Sequence, residues 1–140
     1  MTDNIVEYTA DRIALQDVLL RYGAGLDDHD FDLYEACFTQ DVEVIGIGTE
    51  TIVGRDAWMA YVLKAMSGFD ATQHMWGVML ATIDGDKATT RTDLQALHNL
   101  KDQPGKMFIL WGTYKSDMVR IDGEWKIKRH EFFRRGSRTQ

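Results

Sequence analysis

Apolar residues in the first part of the chain recur at helical spacing. The steps between them are three, four and seven residues, which place side chains on one face of an α-helix, and the members of this row are Leu15, Val18, Leu19, Tyr22 and Leu26. The row predicts an amphipathic helix from near Asp11 to Asp27, preceded by a loose lead-in over residues 1–10. Leu20, Ala24 and Asp27 form a neighbouring row, so a carboxylate reaches the edge of the apolar stripe. Burying that carboxylate unpaired would be costly, so Asp27 must reach water, a cation or a hydrogen-bond donor.

Two shorter helices are predicted downstream. Asp30 suits the N-cap of a helix over residues 31–38, because its carboxylate can accept hydrogen bonds from the free N–H groups of the first turn. A further helix over residues 55–66 has an apolar face made of Trp58, Tyr61, Val62 and Ala65. Between these helices, Val42, Val44 and Ile45 indicate a strand.

After Gly68 the apolar period changes from that of a helix to that of a strand. Residues 72–83 are predicted as one long strand, and a turn at Asp84-Gly85-Asp86 leads into its partner. The remaining predicted strands cover residues 87–100, 107–121 and 124–134. Helices followed by antiparallel strands predict an α+β fold, a cone-shaped, curved antiparallel sheet with about three N-terminal helices packed on one face.

Strand parity predicts which histidines reach the interior of the cone, because alternate side chains share a face. His98 is in step with Leu94 and Ala96, and His74 is in step with Trp76. Both histidines are therefore expected to point towards the core or a pocket.

The same rule applies to the last strand. Arg129 is in step with Trp125 and Ile127, which predicts an inward guanidinium that needs an anion. His130 is predicted on the opposite, solvated face. Several titratable groups that converge with Asp27 on one apolar cavity are typical of a functional site.

Composition narrows the class of protein. At 140 residues and 16.0 kDa, the chain is expected to form one domain over residues 1–140. A hydrophobic share of 44% and a charged share of 27% are typical of a soluble globular protein. The net charge of −6 argues against binding nucleic acid through its phosphates.

Location and cysteine usage follow from the same sequence. No apolar run is long enough for a membrane span, and no signal peptide is recognisable, so no membrane association and a cytoplasmic location are expected. Cys37 is the sole cysteine and lies in an apolar row, so a buried, inert thiol is expected. The histidines lack tight metal-ligand spacing, and no bound metal is expected.

Three stretches carry a resemblance to a known family: RYGAGLDDHDFDLYEACFTQDVEV, TQHMWGVMLATIDGDKATTRTDLQALH and IDGEWKIKRHEF. The chain resembles the SnoaL-like branch of the nuclear transport factor 2-like superfamily, and within it the group of scytalone dehydratase, lindane dehydrochlorinase and bile-acid 7α-dehydratase. Those enzymes pair an aspartate at the end of the first helix with a later histidine, which Asp27 and His74 match, 47 positions apart. Tyr22 matches a tyrosine of the bile-acid enzyme, and Arg129 corresponds best to its late arginine. His98 is similar to a second histidine of scytalone dehydratase.

The resemblance implies a lyase without a cofactor, in which Asp27, His74 and Tyr22 are catalytic. Arg129 and His98 would bind a small to mid-sized apolar ring substrate, from which water or a hydrogen halide is eliminated. A homo-oligomer is also expected, with a trimer favoured by the resemblance and a dimer as second choice. Apolar residues on both faces of the strand predicted over residues 72–83 support this assembly, because helices can cover only one face.

Other functions on the same fold stay open. A ketosteroid-isomerase-like enzyme shares the spacing of Tyr22 and Asp27, but places its base late in the first strand, where Ile45 and Gly46 stand. An epoxide-hydrolase-like enzyme uses an Arg-x-Asp motif, which Arg91-Thr92-Asp93 matches, although parity predicts that it points outward. A ligand-binding or oligomerising module without activity is the third alternative.

Overall fold

The computed structural model describes residues 4–140, which form three helices packed against one sheet of seven strands. The helices are α1 (Ile5–Asp27), α2 (Phe31–Glu35) and α3 (Arg55–Met66). The strands are β1 (Phe38–Ile45), β2 (Ile52–Val53), β3 (Phe69–Trp76), β4 (Leu80–Asp84), β5 (Lys87–Leu100), β6 (Met107–Ile121) and β7 (Glu124–Thr139). The predicted α+β class with a curved sheet is confirmed. Within residues 4–140, no helix is long and apolar enough to cross a membrane.

The strand order is β2-β1-β7-β6-β5-β3, and β4 also pairs with β5. Every pairing is antiparallel except that between β1 and β7, which is parallel. The long strands β5, β6 and β7 form the centre of the sheet. Their inner face packs against the helices and carries the core.

The segment predicted as one strand over residues 72–83 is two strands. β3 pairs with the second half of β5 and β4 with the first half, and the chain between them leaves the sheet. In that break the backbone N–H of Gly77 donates to the carbonyl of Asp93 at 2.8 Å. The alternation of inward and outward side chains changes at this break. Val78 is in step with His74 but is 84% exposed, whereas its neighbour Met79 is 2% exposed.

Helix α1 begins earlier than the apolar periodicity predicts. The Asn4 side chain accepts hydrogen bonds from the backbone N–H groups of Val6 and Glu7 and caps a helix that starts at Ile5. The expected lead-in over residues 1–10 is therefore wrong for residues 4–10, and residues 1–3 lie outside the described part of the chain. Helix α2 ends at Glu35, earlier than the predicted residue 38, because residue 38 is already the first residue of β1.

Two glycines let the end of α1 approach its neighbours closely. A Cβ atom on Gly23 would lie 2.8 Å from Trp76 Nε1 and 3.3 Å from the Cβ of His74. A Cβ atom on Gly25 would lie 2.8 Å from the backbone nitrogen of Tyr34 in α2. Such distances exclude a larger side chain unless the neighbour moves.

A β-bulge interrupts the alternation of β7. Ile127 lies opposite Met118 of β6, while Arg129 lies opposite the adjacent Asp117, so Lys128 is an extra residue. Ile127 and His130 consequently both point inward and are fully buried, at 0% exposure each.

The outer face of the sheet carries an apolar patch. Leu97 of β5 lies directly opposite Ile109 of β6, and Met75 is 59% exposed. The patch, called the outer patch below, consists of Met75, Leu97, Ile109, Trp111 and Phe133. None of the three helices covers it, since the helices pack on the opposite face.

Candidate active site

The end of helix α1 and strand β3 bring a carboxylate and an imidazole into contact. Asp27 Oδ1 lies 2.8 Å from His74 Nδ1, and Oδ2 accepts a hydrogen bond of 2.7 Å from the backbone N–H of His74. The hydroxyl of Thr72 donates a third hydrogen bond, 2.9 Å long, to Oδ1. The predicted contact between Asp27 and His74 is therefore present, and it is shielded, with the two side chains only 18% and 7% exposed.

The surroundings of Asp27 favour its ionised form. Burial raises its pKa, but the hydrogen bonds and charge of His74, together with the Thr72 hydroxyl, bring the pKa below its ordinary value of 3.8. A carboxylate only accepts hydrogen bonds, so His74 Nδ1 carries the proton in their contact. The lone pair of the imidazole is then on Nε2, as in other histidine–carboxylate pairs.

His74 lines a cavity of about 140 Å³ between the helices and the inner face of the sheet. Most of the wall is apolar or aromatic, and it includes Leu26, Trp58, Val62, Phe69, Leu94 and Leu110. An apolar protein cavity of roughly 150 Å³ can hold benzene. The cavity thus has room for a single six-membered ring.

His98 lines the same cavity, as strand parity predicts. Its Nδ1 atom lies 3.1 Å from the carbonyl oxygen of Phe108 and carries the proton of that hydrogen bond, because a carbonyl only accepts. The centroid of its ring lies 5.9 Å from that of His74. Burial lowers the pKa of His98 below 6.5 despite the Phe108 hydrogen bond, which favours a neutral ring.

Tyr22 lines the cavity beside a second tyrosine, Tyr114, and their hydroxyl oxygens lie 3.1 Å apart. Behind this tyrosine pair, the Tyr22 hydroxyl lies 3.1 Å from Nε2 of His130. Nδ1 of His130 in turn lies 2.7 Å from the hydroxyl oxygen of Ser116. The rings of Tyr114 and His130 stack with centroids 3.9 Å apart. These four side chains, all buried, are called the tyrosine–histidine cluster below.

Burial keeps the tyrosine–histidine cluster uncharged at neutral pH. It raises the pKa of Tyr22 well above 10.0 and that of Tyr114 to about 12. It lowers the pKa of His130 to about 3. The phenols therefore remain protonated donors, and the imidazole stays neutral.

Two further buried polar atoms belong to residues of the cavity wall. The hydroxyl of Tyr34 and the indole N–H of Trp58 make no hydrogen bond of standard geometry among the described residues, although the Tyr34 hydroxyl interacts with both Trp58 and Tyr22. A buried donor without a partner is costly. The proton of the Tyr34 hydroxyl is therefore available to an acceptor atom of a ligand.

Arg129 and His130 occupy the reverse of their predicted positions. The Arg129 side chain lies on the outer face, 43% exposed, with its guanidinium 3.3 Å from the carboxylate of Glu131. The prediction that Arg129 points into the cavity is wrong, and so is the prediction that His130 is solvated. The physical cause is the bulge at Lys128, which shifts the alternation by one residue. Among the described residues that line the cavity, none is lysine or arginine.

The sequence does contain a signal for the missed residues. Ile127 and Phe132 are five positions apart, and two inward residues of a regular strand are separated by an even number. Assigning both to the core would have required a bulge between them, and with the bulge at Lys128 the inward residue is His130. Tyr114 and Ser116 are two positions apart on β6 and share the inner face with Met118.

The residues of the alternative functions lie elsewhere. The side chains of Arg91 and Asp93 are 42% and 62% exposed on the outer face, so the Arg-x-Asp motif points outward as expected.

A larger groove of about 310 Å³ lies between α1, α2 and the start of β7, beside Cys37. Burial raises the pKa of the Cys37 thiol to about 11, which agrees with an inert side chain. The smaller cavity is the better candidate site because His74, whose imidazole contacts the carboxylate of Asp27, lies in its wall.

Fold and site together define a small α+β protein with a pocket in a curved sheet. The family profile of the SnoaL-like domain matches residues 7–131. The chain belongs to the SnoaL-like family. It is also 29% identical over 126 residues to an uncharacterized protein of Mycobacterium tuberculosis, covering 86% of this chain and 82% of that protein.

Solved structures share the fold. A protein of Novosphingobium aromaticivorans provisionally named scytalone dehydratase superposes with a TM-score of 0.87 at 24% identity, over 94% of this chain and 88% of that one. A hexachlorocyclohexane dehydrochlorinase of Novosphingobium barchaimii gives a TM-score of 0.85 at 19% identity, over 98% and 94% of the two chains. At these identities the likeness establishes the fold alone.

Proposed function

We propose that this protein is a lyase without a cofactor that eliminates water or a hydrogen halide from a small cyclic substrate. The observation that carries the proposal is the hydrogen bond of 2.8 Å between Asp27 and His74, whose imidazole lines an apolar cavity. Two proteins of the same fold bear the names of a dehydratase and a dehydrochlorinase, which supports elimination as the reaction class.

His74 is the general base in this proposal. Its Nε2 atom takes a proton from a ring carbon, the electron pair of the C–H bond forms the new C=C bond, and the neighbouring C–O or C–halogen bond breaks. The carboxylate of Asp27 fixes the imidazole tautomer and stabilises the imidazolium that forms. A positioned acid–base group of this kind contributes roughly 10²–10⁴ in rate. The proton held by His74 finally leaves with the departing group, as water or as a hydrogen halide.

Tyr22 acts as a hydrogen-bond donor. Because burial raises its pKa well above 10.0, the phenol stays protonated and donates towards the leaving group or the oxygen of a developing enolate. His98 contributes a neutral ring to the substrate-binding wall.

The cavity favours a neutral substrate. No lysine or arginine lies among its described lining residues, so a carboxylate or phosphate would lack a countercharge. The volume of about 140 Å³ favours one ring. A six-membered ring with a carbonyl beside the reacting C–H bond meets both conditions and gives the tyrosines an acceptor.

The test uses 3-hydroxycyclohexanone and 3-chlorocyclohexanone, which both give cyclohexenone on elimination. Formation of cyclohexenone is followed by ultraviolet absorbance. The wild type should accelerate at least one reaction, and His74→Ala should lower the rate by about 10²–10⁴. Asp27→Asn keeps the shape but removes the charge that stabilises imidazolium, so the rate should fall steeply as well.

Asp93→Asn is the matched control, because it removes a carboxylate charge on the outer face, away from the cavity. Circular dichroism checks that each variant is folded. The proposal fails if Asp93→Asn abolishes turnover while His74→Ala leaves it near the wild-type rate. That result would favour the epoxide-hydrolase function instead.

A further inference from the structure

The tyrosine–histidine cluster contains more than the predicted donor Tyr22. Its hydrogen bonds run in a chain from Ser116 through His130 and Tyr22 to Tyr114. Each link joins two groups that can both donate and accept, so the direction of each bond depends on where the protons lie. The numbers of donors and acceptors along this series of hydrogen bonds determine the direction of each bond.

Ser116 determines which ring nitrogen of His130 carries the proton. Its side chain is buried, and His130 Nδ1 is its only hydrogen-bond partner among the described residues. If Nδ1 carried the imidazole proton, Nδ1–H would donate to Ser116, and the serine proton would be buried without an acceptor. If Nδ1 is the unprotonated nitrogen, the serine hydroxyl donates to it and no donor is left over. The second arrangement is favoured, because an unsatisfied buried donor is costly.

The tautomer of His130 then fixes the direction at Tyr22. A neutral imidazole whose Nδ1 accepts carries its proton on Nε2, so Nε2–H donates to the Tyr22 oxygen, 3.1 Å away. Tyr22 and Tyr114 have two phenol protons, and their mutual hydrogen bond of 3.1 Å uses one of them. The hydroxyl of Tyr34 also interacts with Tyr22, and it adds one phenol proton and one link to the count. One phenol proton therefore remains unused, and all three phenols line the cavity.

We propose that Ser116 and His130 are positioning residues, which orient the Tyr22–Tyr114 pair so that one phenol proton is presented to an oxygen atom of the ligand. The role of these residues in catalysis rests on the proposed function. The inference adds a ligand class to that function: the site takes a cyclic compound with a carbonyl or hydroxyl oxygen opposite His74. With the opposite tautomer, Tyr22 would donate to His130 and Tyr114 to Tyr22, and the pair would have no proton for a ligand. Burial, which keeps His130 neutral, maintains this orientation across neutral pH.

The tautomer can be measured directly. In ¹⁵N-labelled protein, long-range ¹H–¹⁵N correlation distinguishes the protonated from the unprotonated ring nitrogen, and the His130 signals are those missing from His130→Gln. We expect the proton on Nε2 in the wild type. In Ser116→Ala the preference should be lost, because Nδ1 no longer has a donor. A wild-type proton on Nδ1 overturns the proposal.

The consequence for ligands is measured with two probes of similar shape. Cyclohexanone has an acceptor oxygen, while methylenecyclohexane has none, and chemical-shift titration gives the affinity of each. The wild type should bind cyclohexanone about tenfold more tightly, as one hydrogen bond allows. Ser116→Ala and His130→Leu should reduce that ratio severalfold. His130→Gln should retain it, because the glutamine amide can still donate to Tyr22.

Thr39→Val is the matched control, since it removes a buried hydroxyl of β1, a strand that holds none of the tyrosine–histidine cluster. It should leave the ratio unchanged. An equal affinity of the wild type for both probes, or an unchanged ratio in both Ser116→Ala and His130→Leu, overturns the proposal. Absence of elimination activity together with Nε2 protonation and the cyclohexanone preference would instead disprove the proposed function alone.

Discussion

At the scale of single residues, His130 links the stability of the protein to pH. Burial lowers its pKa from 6.5 to about 3 in the folded state. Between these two pH values the unfolded chain binds a proton that the folded chain does not. The contribution of His130 to stability is therefore complete above about pH 6.5 and is lost as the pH falls towards 3, by up to about 1.4 kcal/mol per pH unit.

We expect this dependence to disappear in His130→Gln, which cannot take up a proton. The wild type should be the more stable protein at pH 7. Its advantage in unfolding free energy should shrink by about 2 kcal/mol at pH 5, because the unfolded histidine is then protonated. Urea unfolding of both proteins at the two pH values measures this difference. An advantage that is equal at pH 7 and pH 5 would contradict the burial of a neutral His130.

At the scale of elements, the end of helix α1 determines the geometry of the candidate site through two glycines. Gly23→Ala should push His74 and Trp76 of β3 away from the helix, because the new Cβ would lie only 3.3 and 2.8 Å from them. The Asp27–His74 contact should lengthen, and elimination should slow by at least about tenfold. Overpacking of this kind also costs about 1–3 kcal/mol.

Gly25→Ala is the matched comparison, since its new Cβ would meet the backbone of Tyr34 in α2 rather than β3. It should lower the stability by a similar amount while its folded fraction keeps more activity. Thermal unfolding and the cyclohexenone assay separate the two effects. Equal losses of activity per folded molecule would contradict the specific role of Gly23.

The bulge in β7 makes two single-residue deletions differ. Deleting Lys128 removes the extra residue and leaves Ile127 and His130 inward, because regular alternation then places them correctly. Deleting Lys126 joins Trp125 directly to Ile127, and one of these two buried residues must turn outward. The second deletion should therefore cost about 2 kcal/mol or more beyond the first, the value of burying one large apolar side chain. Urea unfolding gives both values, and equal costs would show that the bulge does not absorb the deletion.

The sequence predicted the elements that rest on regular periods. The inward positions of Asp27 and His74 followed from a helical row and from a strand whose alternation holds from Thr72 to Trp76, and the family resemblance paired the two residues. Prediction failed where the period is broken, at the bulge in β7, which reversed Arg129 and His130. It also failed over residues 4–10. There the cap formed by Asn4 begins the helix, although this part of the helix has no buried face for an apolar pattern to reveal. Bulges and caps depend on one or two residues, and average patterns over a longer window do not detect them.

At the scale of the whole molecule, the outer patch supports the predicted homo-oligomer. Its apolar side chains share a sheet face without helices, and exposed apolar faces commonly bind a second subunit. Trp111→Glu should place a charge in the middle of this area and lower the molar mass measured by light scattering at micromolar concentration. We expect a trimer, or a dimer, for the wild type and a monomer for the variant.

Ile13→Glu is the control, because Ile13 is 60% exposed on helix α1 and lies outside the outer patch. It should leave the molar mass unchanged. A monomeric wild type would contradict the assembly, whatever the variants do.

The position of the bulge also determines which kind of side chain β7 places behind the tyrosines. Ile127 and Phe132 are both buried and five positions apart, so one bulge must fall between them. With the bulge at Lys128, the inward residue is the neutral His130. A bulge two positions later would keep Ile127 and Phe132 in place and bring the permanently charged Arg129 inside instead. An interior suited to neutral molecules and one suited to anions thus differ in the position of one bulge. A single insertion or deletion in β7 offers a short evolutionary route between them.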